Sequence, residues 1–417
     1  KHIDLKEILS LSARRWDGGY VMAGMIGHGD AFVMRDPCGI RPAFFYYDDE
    51  IVVAASERAV IQTTFNLAYE DVRELEPGHA LIVRRDGDIT VDPFTAPRPI
   101  HPCSFERIYF SRGSDRDIYR ERKQLGRLLV PQILKSIDYD IENTVFSYIP
   151  NTAESAFFGL VEGLDEYCQG VRAKQILETK ATLTQESLRE ILRFKPRIEK
   201  VAIKDVKMRT FITQDNERDD LVAHVYDITY GTIRPGVDNL VIIDDSIVRG
   251  TTLRQSIIRI LDRLNPRKIV VCSSAPQIRY PDCYGIDMSR LSHFVAFKAA
   301  IELLRERGMN HVIEEVYQQA LQELQRPDRE NTVNCVKRIY EPFTDEEISA
   351  KIAQIVTASD IRADVEVVYQ SVENMRRAIP VHNGDWYFTG NYPTPGGNVV
   401  SNKAFVNFYE KRNERAY

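Results

Sequence analysis

The chain has little of what would hold a secreted or membrane-embedded protein together. Its 417 residues include six cysteines, Cys38, Cys103, Cys168, Cys272, Cys283 and Cys335, and no two stand at a C-x-x-C spacing. That sparseness excludes a disulfide framework and leaves free thiols in a reducing cytoplasm as the expectation. No apolar run approaches the roughly 20 residues that span a bilayer, so no membrane is expected as a partner. Positive charge is not in excess: the formal net charge is -6, which favours neither nucleic acid nor an anionic surface as a partner. The opening residues Lys1-His2-Ile3-Asp4-Leu5-Lys6 carry no charged-then-apolar signal pattern and no methionine, which reads as a fragment or a processed product. Internal repeats and low-complexity tracts are also missing. What is present, 43% hydrophobic and 28% charged residues, is the balance of a soluble globular protein with room for two or three domains.

The first hundred residues read as β-rich. Short apolar or aromatic runs at Tyr20–Ile26, Ala31–Arg35, Ala43–Tyr47 and Ile51–Ala55 are separated by Gly-Asp, Asp-Pro and Asp-Asp turn signals. Ala80–Arg85 and Ile89–Val91 predict a hairpin turned at Asp86-Gly87-Asp88. The proline-rich stretch Pro93–Pro102 predicts a linker. From Ser104 the pattern changes to alternating strands and helices, which argues a parallel sheet covered on both faces. Helices are predicted at Arg116–Ser136, Glu154–Leu164, Thr184–Arg193 (capped by Thr184 or Ser187), Leu253–Leu264, His293–Arg307 and Val312–Leu324, with one or two more after about Asp345. Strands are predicted at Thr144–Tyr148, Leu240–Ile243 and Lys268–Ser273.

One segment carries chemistry. Val241-Ile242-Ile243-Asp244-Asp245-Ser246-Ile247-Val248-Arg249-Gly250-Thr251-Thr252 is an apolar strand running into two acids, then a small-residue turn, then a helix. Helix capping alone would explain an isolated Asp-Asp-Ser, but not the whole string. A strand end places Asp244 and Asp245 at the carboxyl edge of the sheet, where open α/β folds bind ligands. Paired carboxylates there can hold ribose hydroxyls, directly or through Mg²⁺. Gly250 lets the backbone approach a ligand closely. The amides of residues 248–252 lead into a helix N-terminus suited to phosphate, and Thr251 and Thr252 add hydroxyls.

The string resembles the phosphoribosyl-pyrophosphate (PRPP) signature of type I phosphoribosyltransferases, in the form found in amidophosphoribosyltransferases. Ser246, Val248 and Arg249 would join the acids and Gly250 in binding PRPP. Further segments are similar to that family in the same order. They are Cys103 to Arg112, Tyr119, Arg120 and Gly126, then Arg209-Thr210-Phe211-Ile212 with Arg218, and Pro276 to Pro281 followed by Tyr284 to Met288. Arg35-Asp36-Pro37-Cys38-Gly39-Ile40-Arg41-Pro42 and Ala55-Ser56-Glu57 resemble the later half of an N-terminal-nucleophile glutaminase domain. The resemblance covers roughly residues 16–300 and implies that Arg209 and Arg218 clamp phosphate from a loop that closes over PRPP.

The sequence also departs from that pattern. The glutaminase nucleophile of the family is the first cysteine of the mature chain, and the residues that hold glutamine lie upstream of the matched region. Cys38 sits inside Arg-Asp-Pro-Cys-Gly, so its own amine cannot serve as base. This polypeptide is therefore expected not to hydrolyse glutamine. The family's loop lysine is replaced by a stretch containing His224. At Pro150-Asn151-Thr152-Ala153, Asn151 stands where the family has an acid, while Thr152 matches a hydroxyl that helps hold Mg²⁺. An extra helical insertion is expected around Cys168–Lys200. Some members carry an iron–sulfur cluster on four thiolates. Cys103 and Cys283 resemble two of those positions, but Gly384 and Tyr387 stand at the other two, ahead of Phe388-Thr389-Gly390-Asn391-Tyr392-Pro393. No iron–sulfur cluster is expected.

The fold expected is α/β. It comprises the C-terminal part of an αββα glutaminase domain over residues 1–100, a doubly wound parallel-sheet phosphoribosyltransferase domain over 101–300, and a helical tail with an aromatic end over 301–417. The resemblance implies transfer from PRPP to ammonia, normally derived from glutamine, giving 5-phosphoribosylamine and pyrophosphate at the start of purine synthesis. It also implies Mg²⁺ held by Asp244, Asp245 and Thr152, purine nucleotides as inhibitors, and a cytoplasmic homo-oligomer. Two other readings stay open: a nucleobase salvage transferase, and a nucleotide-sensing or scaffolding protein with reduced catalysis.

Overall fold

The structure, a computed structural model, describes residues 4–96, 98–204, 226–251, 253–286 and 288–416. Its first part is a four-layer sandwich. Helix α1 (Leu5–Ala13) starts at Asp4, whose carboxylate accepts from the Glu7 amide at 3.1 Å. Strands β1 (Val21–Met25), β2 (Ala31–Arg35), β3 (Phe44–Tyr47) and β4 (Val52–Ala55) follow, then helix α2 (Arg58–Phe65) and strands β5 (Arg73–Glu74), β6 (His79–Val83) and β7 (Ile89–Pro93). One antiparallel sheet has the order β1-β2-β6-β7 and the other β4-β3-β5. The β6–β7 hairpin pairs Val83 with Ile89 across the foreseen turn.

Alternation along the strands builds the layers. Ala43, Phe45, Leu75 and Leu81 pack between the two sheets, with Val21 and Val33 beside them. Leu5 and Leu9 of α1 cover the outer face at Met34, Ala80 and Ile82. Ile61 of α2 covers the other outer face at Phe44 and Val72. The αββα layering is thus present. Neither helix was expected from a stretch that reads as β-rich; each spans only two or three turns, too little for a clear helical period.

The second part is a parallel sheet. After a π-helical turn at Glu106–Phe110 come helix α3 (Arg116–Ser136), strand β8 (Thr144–Tyr148), helices α4 (Glu154–Glu178) and α5 (Gln185–Arg193), and strands β9 (Arg197–Ile198), β10 (Ala202–Lys204), β11 (Tyr226–Ile228) and β12 (Asn239–Asp244). A π-wound turn, Leu253–Ile257, leads into the short helix α6 (Ile258–Asp262), where a continuous α-helix was expected. Strand β13 (Lys268–Ser273) is followed by α7 (Val295–Glu306), α8 (Asn310–Leu324) and α9 (Asp345–Val356). The chain ends with strand β14 (Asp364–Tyr369), α10 (Val372–Ala378), α11 (Trp386–Thr389) and α12 (Pro395–Tyr409). Thr184 caps α5 and shares hydrogen bonds with Ser187, as the sequence suggested.

The five-stranded sheet has the order β14-β13-β12-β8-β9, and its printed pairings are all parallel. Both faces are buried, so adjacent residues enter different cores. Leu240 and Ile242 join one cluster with Ile269 and Val271; Val241 and Ile243 join the other with Val270 and Cys272. In chain order the strands lie second, first, third, fourth and fifth across the sheet, so the winding reverses between β8 and β12. That reversal opens a crevice at the strands' carboxyl ends. Strand β14 was not foreseen: the segment after residue 300 was read as helical, yet it supplies an edge of this sheet. A third core, containing Ile40, Cys103, Phe105, Leu125, Tyr284 and Trp386, joins residues from the sandwich, the sheet region and the C-terminal segment.

Candidate functional site at the sheet reversal

Asp244 and Asp245 emerge from β12 at the crevice. Their backbone is pinned from the neighbouring strand: the Ser274 amide donates to the Asp244 carbonyl at 2.9 Å and the Ala275 amide to the Asp245 carbonyl at 3.0 Å. On the other side, the Ile149 amide donates to Ile243 at 2.9 Å, so the segment 150–152 runs alongside the acids. The peptide Pro150–Asn151 is cis. The Thr152 hydroxyl lies within hydrogen-bonding reach of the Asp245 carboxylate.

The two acids are electrostatically strained. Burial pushes the Asp244 carboxyl well above the ordinary range, and the Asp245 charge adds to it; the hydrogen bond from the Asp245 amide, 2.9 Å from Oδ1, offsets part. Burial also raises Asp245, against hydrogen bonds from Ser246 and Thr152 and the charge of Arg122. Like charges held side by side with too little compensation are what a divalent cation or a polyhydroxy ligand would relieve. Among the described residues no three His, Cys, Asp or Glu side chains cluster as a metal cage. A two-carboxylate site with a hydroxyl suits Mg²⁺, which keeps water and takes substrate phosphates as ligands.

The turn after the acids is an open cradle. Ser246 Oγ donates to Asp245 at 2.8 Å, so this hydroxyl orients the acid. The Val248 carbonyl accepts from the Val295 amide at 2.9 Å, which anchors the turn to α7. The amides of residues 247–251 donate to no acceptor among the described residues. Gly250 has φ +71°, and a Cβ there would meet Val295 at 3.0 Å and Val356 at 3.1 Å, so glycine is required twice over. Arg249 is exposed, with no ion pair to a described residue, and Thr251 begins the helix. Thr252, Arg209, Arg218 and His224 lie outside the described residues.

Sequence reasoning missed two neighbours of the acids. Buried Arg122 of α3 donates to the carbonyls of Arg107 (2.9 Å), Tyr109 (3.2 Å) and Ser111 (2.7 Å), and its charge acts on Asp245. Those bonds fix the π-helical turn that carries Tyr109, whose hydroxyl is pushed up by burial and by both acids. On a charged amphipathic helix one arginine looks like another, so only the fold could single out Arg122.

The other motifs prove to be architecture. Arg35 is buried and donates to the carbonyls of Arg41, Leu75 and Gly39 at 2.7, 2.6 and 3.0 Å. Asp36 accepts from the amides of Cys38, Ile40 and Arg41. Arg41 then crosses to the sheet region, donating to the Tyr284 carbonyl at 2.8 Å and pairing with Glu106 and with Asp282. Burial pushes the Cys38 thiol up to about 11, the opposite of an activated nucleophile.

Cys103 and Cys283 do lie near one centre, but Tyr387 fills it. The Tyr387 hydroxyl donates to Asp282 at 2.8 Å, and its ring packs 5.0 Å from Phe105 and 5.3 Å from Trp386. At Gly384 a Cβ would meet the carbonyls of His101 and Pro102 at 2.6 Å. The donor set does not fit a four-thiolate cluster.

A cavity of about 270 Å³ lies where the sandwich meets the sheet region and is lined by Arg58, Glu106, Arg107 and His382, among others. Neither Arg58 Nε nor His382 Nδ1 has a hydrogen-bond partner. Burial, then the charges of Arg107 and Arg35, push His382 down to about 3. An imidazole neutral when folded but protonated near pH 6.5 when unfolded costs stability as pH falls below 6.5. Above 6.5 it contributes no slope. His382→Gln is therefore expected to remove about 2 kcal/mol of the stability lost between pH 7 and 5, measured as the difference between parent and variant in urea unfolding. Parallel pH slopes for the two proteins would contradict the assignment.

The sequence matches no family model. It is 28% identical over 308 residues to the amidophosphoribosyltransferase of Pasteurella multocida, covering 71% of this chain and 54% of that protein. The Escherichia coli amidophosphoribosyltransferase is also 28% identical, over 305 residues, covering 69% and 52%. The chain thus spans about half the length of the curated relatives it matches. Among solved structures, the glutamine PRPP amidotransferase from Bacillus subtilis complexed with ADP and GMP superposes with a TM-score of 0.61 and 25% identity, covering 94% of this chain and 68% of that one. A second structure, described as the allosteric regulatory enzyme of purine biosynthesis, shares the fold with a TM-score of 0.61 at 24% identity, covering 94% and 66%. In sequence and in fold the chain is similar to amidophosphoribosyltransferases.

Proposed function

We propose that this chain, like the amidophosphoribosyltransferases it resembles, transfers the phosphoribosyl group of PRPP to ammonia, releasing pyrophosphate and giving 5-phosphoribosylamine. The observation that carries the reading is the buried Asp244–Asp245 pair at the sheet reversal, beside a turn of unpaired amides. Asp244 and Asp245 hold the ribose hydroxyls. The amides of residues 247–251 and the hydroxyls of Thr251 and Thr252 hold phosphate. Arg209, Arg218 and Arg249 supply positive charge to the phosphates. Where Mg²⁺ binds, Asp244, Asp245 and Thr152 would hold it, and the ion would neutralise charge on the departing pyrophosphate. The rest is positioning: ammonia attacks C1 as the C1–oxygen bond to pyrophosphate breaks, and a proton leaves the nitrogen.

Purine nucleotides also carry a ribose and phosphate, so the same acids and amides give them a place to compete with PRPP. No step is assigned to Cys38, and no iron–sulfur cluster is part of the proposal. Incubation with PRPP, Mg²⁺ and ammonium chloride at about pH 8, where some ammonia is free base, is expected to release pyrophosphate in proportion to ammonia. Release from PRPP that needs a purine base and ignores ammonia would establish the salvage reading instead. PRPP binding without turnover on either acceptor would establish the sensor reading.

A further inference from the structure

The free edge of the parallel sheet carries an unassigned binding surface. Strand β14 is outermost and pairs on one side only, with β13. The Asp364 amide donates to the Arg267 carbonyl at 3.2 Å and the Gln370 amide to Ser273 at 3.0 Å. Backbone groups of successive strand residues point to opposite sides. Asp364, Glu366, Val368 and Gln370 therefore turn theirs toward β13, while Val365, Val367 and Tyr369 turn theirs outward, to no partner among the described residues.

That edge opens into a cleft of about 1020 Å³, bordered by the end of α3 and by α9. Two more polar atoms are stranded there: the hydroxyl of Tyr369, a residue 7% exposed, and Oε1 of Gln132. Buried polar atoms without partners are uncommon and costly, and each invites a ligand. The rim is acidic. Asp138, Asp345, Glu346, Asp364 and Glu366 line it against Lys135 and Lys268, and Lys268 already pairs with Glu366 at 2.6 Å and Asp364 at 3.9 Å.

We propose that this cleft binds an extended, cationic segment of a partner polypeptide, which adds to the sheet as a sixth strand beyond β14. Outward amides and carbonyls at alternate residues are what a docking strand requires, and they supply affinity without reading sequence. The acidic rim supplies the preference for lysine or arginine. An exposed edge left uncovered is also a hazard for self-association, which a cleft restricts to a chain thin enough to enter. The inference is independent of the reaction proposed above, since none of these residues belongs to the phosphate turn.

The test uses a fluorescein-labelled peptide of about seven alternating lysine and valine residues, enough to span a typical strand, and reads anisotropy on the full chain. Saturable binding is expected. It should weaken by roughly tenfold or more for the glutamate–valine counterpart and for a lysine–valine peptide N-methylated at alternate amides. Val365→Pro removes one outward amide and leaves the bonds of its neighbours to β13 intact, so it should weaken binding similarly with an unchanged melting temperature. Should that variant unfold, Tyr369→Phe together with the N-methylated peptide carries the same test. Absence of binding up to roughly 1 mM, equal binding of the acidic peptide, or indifference to Val365→Pro in a folded protein would overturn the proposal. So would a concentration-dependent dimer abolished by Val365→Pro, which would assign the edge to a second copy of the chain.

Discussion

Asp244→Asn and Asp245→Asn are each expected to lower ammonia-dependent pyrophosphate release roughly tenfold to a hundredfold, the loss of one charge-assisted hydrogen bond of about 1.5–3 kcal/mol. Stability should move the other way. Each carboxylate raises the proton affinity of the other, so the unliganded fold carries a repulsion that a neutral amide removes. Melting temperatures without ligand should therefore equal or exceed that of the parent, while the stabilisation gained on adding PRPP with Mg²⁺ should shrink. The two readouts together separate a ligand role from a structural one. Parent-like PRPP affinity in both variants at matched Mg²⁺ would show that these acids do not hold the ligand.

The double substitution Gly384→Cys, Tyr387→Cys is expected to fail to build an iron–sulfur site and to destabilise the protein by roughly 4 kcal/mol or more, a large part of the 5–15 kcal/mol typical of a domain. At Gly384 the new Cβ would press on two backbone carbonyls held by the bridge between Cys103 and Gly384, where the Gly384 amide donates to Pro102 at 2.8 Å and the Ser104 amide to Gly384 at 2.9 Å. Backbone so tied cannot yield cheaply. At residue 387 the loss of the ring opens a cavity beside Phe105 and Trp386 and takes the hydroxyl donor from buried Asp282. Anaerobic purification with iron and sulfide analysis, alongside thermal melts, decides both halves. Iron near four per chain in the parent, or a variant that melts with the parent and takes up a cluster, would refute the packing argument.

The phosphate turn was readable because its parts are local: strand, acids, small-residue turn and helix follow one another in the chain, and β12 (Asn239–Asp244) falls where the apolar run predicts. Elements with strong periods, such as α3 and β13, also match residue for residue. Strand β14 was hidden by its setting among helices, although Asp364-Val365-Glu366-Val367 does alternate with period two. Helix α4 continues to Glu178, past the expected Leu164, because its exposed second half lacks an apolar stripe. Long-range partners are a different matter. Nothing near Arg122 in sequence shows that it faces Asp245, more than a hundred positions away, and nothing beside Cys103 shows that Tyr387 occupies the space next to it. Such pairings are made by the fold's return paths, which a single sequence does not display.

Arg41 has a bearing on how the two halves of the molecule depend on each other. It is the cation that Glu106 and the fully buried Asp282 share, and its backbone belongs to the sandwich. Without it those carboxylates would stand in the interior of the sheet region with no counter-charge, a costlier state than leaving a surface pair unmade. The first hundred residues are therefore an intramolecular counterion as well as a fold. A glutaminase-like module tied in this way can lose its chemistry and still be retained, because the neighbour it neutralises cannot spare the charge.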